Sequence, residues 1–148
     1  MESVSPLLGP VVALVAWTLV VMVWMAIARA REFKRLGISR STIPNGARGA
    51  DLEGRADPRA QWPAHNYMHL MEQPTLFYAV VLALAIAGDS DPGTLAFAWA
   101  YVAIRVAHSL LQATVNIVRY RFLLFALASA ALLLLTLRLA ALVIRANG

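Results

Sequence analysis

Cysteine is absent from the 148 residues, so disulfides, thiolate metal sites and a cysteine nucleophile are excluded. Charge is scarce too. Asp, Glu, Lys and Arg make up 14% of the chain, against about a quarter in a soluble domain. A short chain leaves much of its surface exposed on folding, so a composition that is 60% hydrophobic cannot be hidden in its own interior. This excludes an ordinary cytosolic enzyme. It also excludes disorder, which needs low hydrophobicity and high net charge. The net charge of +5 indicates no nucleic-acid partner by itself, because its meaning depends on where it lies.

What is present is long apolar runs. They cover Pro10 to Ile27, about Tyr67 to Ala87, Leu95 to Val118, and Phe122 to Ile144. Roughly 20 apolar residues cross the hydrocarbon core as a helix, and none of the runs shows the alternation of a barrel strand. They predict helices over about 7–29, 63–87, 94–118 and 121–145, with a polar loop over about 31–61. The fold class expected is all-α: an integral membrane four-helix bundle in one domain, 1–148. The leader Met1-Glu2-Ser3-Val4-Ser5 carries no base and the bases follow the first run. That is the reverse of a signal peptide, so the first run is expected to stay as a permanent helix.

Loop charge sets the expected orientation. Arg29, Arg31, Lys34, Arg35, Arg40, Arg48, Arg55 and Arg59 surround the first loop against Glu32, Asp51, Glu53 and Asp57, leaving +4. The second loop holds Asp89 and Asp91 and no base, and the third is flanked by Arg119 and Arg121. Positive charge marks the cytoplasmic side. Both termini are therefore expected to face out, and the arginine-over-lysine, alanine-rich composition reads as that of a bacterial inner-membrane protein.

Ionisable groups inside a membrane are costly and mark candidate functional sites. Arg105, His108, Gln112, Asn116 and Arg119 share one face of the predicted third helix, at about 100° per residue. His65, His69 and Glu72 share a face of the second, with Asn66, His69 and Gln73 adjoining. Pro63 suits a first turn, and Pro74 predicts a kink beside Glu72. Glu72 is the expected counter-ion of Arg105. Two weaker readings stand beside these. The stripes can be assembly elements, since polar groups join membrane helices. His65, His69 and Glu72 have a spacing that can chelate zinc or iron, although a metal site is not the expectation.

The segment His65-Asn66-Tyr67-Met68-His69-Leu70-Met71-Glu72-Gln73-Pro74-Thr75-Leu76-Phe77-Tyr78 resembles the second-helix signature of the MAPEG family, the membrane-associated proteins of eicosanoid and glutathione metabolism. Arg105 through Ser109, continuing past Asn116 to Arg119-Tyr120-Arg121-Phe122, resembles its third-helix signature. The resemblance implies a homotrimer of four-helix protomers that binds glutathione between protomers. It implies site roles for Glu72, Arg105 and His108, and a thiolate-stabilising role for Arg119 or Arg121. The chain departs from the family's pattern at three points. His69 stands where glutathione-using members often carry asparagine, which here appears at Asn66. His65 replaces a common arginine, and Gln112 a frequent tyrosine.

The expected function is a glutathione-dependent membrane transferase or peroxidase acting on small lipophilic electrophiles. Arg119 or Arg121 would be catalytic, and Glu72, His69, Asn66, Arg105, His108 and Gln112 would hold the glutathione. The partners expected are other copies of the chain, lipophilic small molecules and membrane lipid. The alternative is a non-catalytic lipid- or ligand-binding scaffold of the same fold. Four short-looped helices with no inverted repeat speak against a transporter.

Overall fold

The computed structural model describes residues 4–148. Met1, Glu2 and Ser3 of the leader lie outside the described residues. The helices are α1 (Leu8–Arg35), α2 (Pro58–Leu70), α3 (Gln73–Ile86), α4 (Pro92–Thr114) and α5 (Val118–Asn147). There is no strand among the described residues. Taking α2 and α3 as one span, Pro58–Ile86, four helices are long and apolar enough to cross a membrane.

Local chemistry sets the ends. α1 runs on to Arg35, past the expected 29, because Lys34 and Arg35 in its last turn complement the negative end of the helix dipole. Gly37 stops it with φ +66, a conformation that glycine adopts without steric cost. The Ile38 N–H then returns to the Phe33 carbonyl at 2.9 Å, as in a Schellman cap. α2 starts earlier than expected. Asp57 accepts the Arg59 N–H at 2.8 Å and Pro58 takes the first helical position, a strong start signal. Pro63 therefore lies inside α2 instead of in its first turn.

Pro74 breaks the second span. Proline has no N–H to give the carbonyl four residues back, and its ring clashes there. That carbonyl is Leu70's, and Leu70 is the last residue of α2. Glu72 takes φ −91 and ψ −98 at the junction before α3 begins.

Packing places α4 against α1, α2 and α5, and α3 against α1 and α5. The core includes Leu14, Val21, Leu70, Phe77, Val81, Tyr101, Ala128 and Leu135. The Phe77 and Tyr101 rings stack with centroids 4.3 Å apart. Leu19, Val23, Leu76, Ile86, Phe122, Leu133 and Ile144 face outward, the side a bilayer would cover.

At the end away from the long loop, Gly88 (φ +72) caps α3 and sets Asp89 against α5. Arg138 reaches Asp89 through Nη2 at 2.7 Å and Nε at 3.3 Å. The Arg138 guanidinium holds the Asp89 carboxyl below its ordinary range. A depressed folded pKa stabilises above the ordinary carboxylate range and is lost as pH falls through the depressed value. Asp89→Asn should therefore lower the melting temperature in detergent by several degrees at neutral pH. The gap from wild type should close on acidification. A gap independent of pH would contradict an ionic Asp89–Arg138 contact.

Candidate functional site

Three polar rungs join α2–α3 to α4. Ser109 Oγ donates to Asn66 Oδ1 at 2.8 Å. Arg105 Nη2 donates to the His69 carbonyl at 2.8 Å, and its Nη1 lies 3.4 Å from His69 Nε2. The Tyr101 hydroxyl donates to Gln73 Oε1 at 3.4 Å, and Gln73 Nε2 donates to Ser129 Oγ on α5 at 2.7 Å. Going up α2–α3 the rungs fall at residues 66, 69 and 73, and going down α4 at 109, 105 and 101. Steps of one helical turn in opposite directions are what antiparallel helices present to each other.

The middle rung follows from the break. The last four carbonyls of a helix have no partner within it, and His69 is next to last in α2. Arg105, 1% exposed, supplies that partner. The His69 ring satisfies both its neighbours when Nε2 accepts from Arg105 and Nδ1 donates to Glu72 Oε2, 3.0 Å away.

Beside these rungs, toward the long-loop end, opens a polar cleft of about 350 Å³ lined by His65, His69, Glu72, Gln112, Asn116 and Arg121. An apolar cleft of about 260 Å³ adjoins it, lined by His108, Val118, Phe122 and Phe125, and shares His69 and Arg121 with it. The His69 ring lies 4.9 Å from His108 and 5.7 Å from Phe125 between centroids. The α4–α5 turn aims Arg121. Asn116 takes φ +53, a left-handed conformation that asparagine tolerates. Its N–H returns to the Leu111 carbonyl at 2.7 Å, and its Oδ1 accepts Arg121 Nη1 at 2.7 Å. Gln112 is 3% exposed, and its Oε1, like Arg121 Nε, has no hydrogen-bond partner. Buried polar atoms left unmatched are costly, and here they line a cleft. A ligand carrying both N–H donors and anionic groups fits this set.

The expected residues separate into three groups. Arg121, His69, Glu72 and Gln112 line the polar cleft, and His108 lines the apolar one. Asn66 and Arg105 line neither, since each is 1% exposed within the rungs. Arg119 points away. Its Nη2 donates to the Tyr120 hydroxyl at 3.0 Å, and its guanidinium lies 4.6 Å over that ring. The five-residue stripe is cut because α4 ends at Thr114. Asn116 falls in the turn and Arg119 on α5.

The expected Glu72–Arg105 ion pair does not form. The break turns Glu72 outward, its side chain 66% exposed, and its carboxylate meets His69 instead. Nor do His65, His69 and Glu72 converge. His65 Nε2 turns to Glu53 Oε1 at 3.1 Å, and no metal-holding group of three occurs among the described residues. Ser109, Tyr101, Ser129 and Phe125 entered no expected site. A signal for the first two was available, since they flank Arg105 at intervals of four residues.

Arg105→Ala removes the partner of a buried carbonyl and opens a cavity. It should cost about 2–4 kcal/mol of folding stability in mixed micelles. Glu72→Gln, which keeps a hydrogen-bonding side chain where the single chain supplies no buried partner, should cost clearly less than Arg105→Ala. Equal losses in the two variants would restore the direct ion pair.

No curated protein and no solved structure matches the chain. The sequence profile of the MAPEG family does match, over residues 7–141. The match runs from the start of α1 well into α5 and takes in every rung and both clefts, so the chain belongs to the MAPEG family.

Proposed function

We propose that this protein is a glutathione-dependent membrane transferase or peroxidase acting on small lipophilic electrophiles. The observation that carries this reading is that one guanidinium, Arg121, lines both a polar and an apolar cleft. Arg121 and Gln112 would hold anionic and N–H groups of glutathione, and the Glu72 carboxylate would accept its ammonium. Bound glutathione supplies a thiol, and a free thiol, with a pKa of about 8.5, is little ionised at neutral pH. A guanidinium favours the anion and never gives up its own charge. Asn116 holds that guanidinium in place at 2.7 Å. Val118, Phe122 and Phe125 offer an apolar wall to an electrophile dissolved in lipid. His108 stands on that wall, behind the His69 ring.

The assembly proposed is a homotrimer. Glu72 is exposed on the single chain, within a span whose outward residues include Met71 and Leu76. A carboxylate facing hydrocarbon is costly, and a neighbouring copy would cover it. The membrane would be a bacterial inner membrane with the loop-bearing end toward the cytoplasm and both termini outside, a reading that the loop arginines support.

A second reading is a non-catalytic ligand-binding scaffold. It is favoured by Asn66, whose Oδ1 is taken by Ser109, and by histidine at the position where glutathione-using members often carry asparagine.

The test is to titrate glutathione into protein purified in detergent and follow thiolate absorbance. Wild type should show thiolate at neutral pH, with the thiol pKa lowered by about one unit or more, a tenfold gain or better in its ionisation constant. Arg121→Ala should lose it and Arg119→Ala keep it. Binding without thiolate leaves the scaffold. Loss in Arg119→Ala alone moves the activator off the cleft.

A further inference from the structure

A third cavity lies in the connection between α1 and α2, away from both clefts. Its volume is about 450 Å³, and Phe33, Ile38, Ile43 and Leu52 line it together with Arg48 and Arg55. Its walls are fixed. The cap of α1 folds Ile38 back onto Phe33 through the 2.9 Å bond between their backbones. The Arg29 guanidinium lies over Gly49, where a Cβ on residue 49 would sit, so the loop is packed against α1 at this point. Glu32 ties the far end of the loop, accepting the Asp57 N–H at 2.8 Å and Arg35 Nε at 2.8 Å.

The lining is amphiphilic. Leu52 is 8% exposed, and Phe33, Ile38 and Ile43 are half-buried. Neither the Arg48 nor the Arg55 side chain forms an ion pair among the described residues. The acid on the rim, Asp51, accepts the Arg48 backbone N–H at 2.7 Å. Depth agrees with the chemistry. α1 has 28 residues, a length of about 42 Å at 1.5 Å per residue, which matches a bilayer with its headgroups. The cavity opens just past the basic end of α1, at headgroup level.

We propose that this loop cavity binds an anionic amphiphile, with its carboxylate or phosphate head on Arg48 and Arg55 and its alkyl chain against Phe33, Ile38, Ile43 and Leu52. Two guanidiniums grip an oxyanion through charge-assisted hydrogen bonds, and the apolar floor shields the first carbons from water. The site is independent of the cleft at Arg121.

The test uses the full chain in a neutral sugar detergent, with bound adducts counted by native mass spectrometry. The probes are laurate, uncharged dodecanol and phosphatidylglycerol. Wild type should retain one laurate per chain and no dodecanol. Arg48→Gln with Arg55→Gln should weaken laurate binding about tenfold or more, and Arg48→Lys with Arg55→Lys, which keeps the charge but not the guanidinium fork, should weaken it less. Leu52→Trp should exclude laurate by filling the floor. If that variant melts early, the exposed arginine pair decides. Arg121→Ala should bind laurate as wild type does. Preference for phosphatidylglycerol would name membrane lipid as the source, and preference for laurate a free fatty acid. Equal retention of dodecanol, or laurate binding unchanged in the double glutamine variant, would overturn the site.

Discussion

A buried guanidinium with no carboxylate beside it governs this bundle. Arg105 is 1% exposed, and its Nη2 donates to the His69 carbonyl. A charge inside an apolar bundle must be compensated by hydrogen bonds or it destabilises the fold. The partner used here is a backbone carbonyl that an unbroken helix would have kept for itself. Pro74 makes it available by ending α2 at Leu70. The break and the arginine are thus one feature seen from two helices. Without the proline, the carbonyl would be occupied. Without the arginine, it would be orphaned in a low-dielectric interior.

The same break arranges the cleft. It turns Glu72 outward and leaves the His69 ring between Glu72 on one side and Arg105 on the other. His69 then forms the partition between the polar and apolar clefts, packed on His108 and Phe125. The rungs above and below, Asn66–Ser109 and Gln73–Tyr101, keep α2–α3 in register with α4. Polar groups in membrane bundles each contribute modestly, about 0.6 kcal/mol on average. Three in sequence, joined to α5 through Ser129, define an alignment that apolar packing alone would leave free to slide.

Much of this is legible in the residues, and the exceptions have physical causes. The four apolar runs mark four spans because hydrocarbon thickness imposes a length, and the two signature segments mark the MAPEG family. The row Asn66, His69, Gln73 is visible as a helical face. What it faces is not, because the antiparallel partner depends on a register that spacing within one helix cannot give. The expected Glu72–Arg105 pair is wrong for a related reason. Opposite charges inside the membrane point to each other in the sequence, while the backbone break that rotates Glu72 away is a three-dimensional consequence of Pro74. Arg119 looks like part of the α4 stripe only if the helix continues through Asn116, and the left-handed turn there stops it. Arg138 lies alone in an apolar run and shares no stripe, so only the fold brings it to Asp89.

The turn at Asn116 has a consequence for how this sequence can change over time. Arg119 and Arg121 are two residues apart on α5, so they point to nearly opposite sides of the helix, one over Tyr120 and the other into the cleft. Which of them faces inward is set by the number of residues between the end of α4 and the start of α5. Replacing Val115 or Ile117 with another residue leaves that phase intact. Inserting or deleting a single residue there rotates the whole of α5 by about 100°. Apart from Asn116, which supplies the left-handed bend and the Arg121 contact, the turn is therefore tolerant of composition and intolerant of length. Among descendants of this chain, drift at positions 115 and 117 leaves Arg121 facing the cleft, whereas a frame of one residue more or less does not.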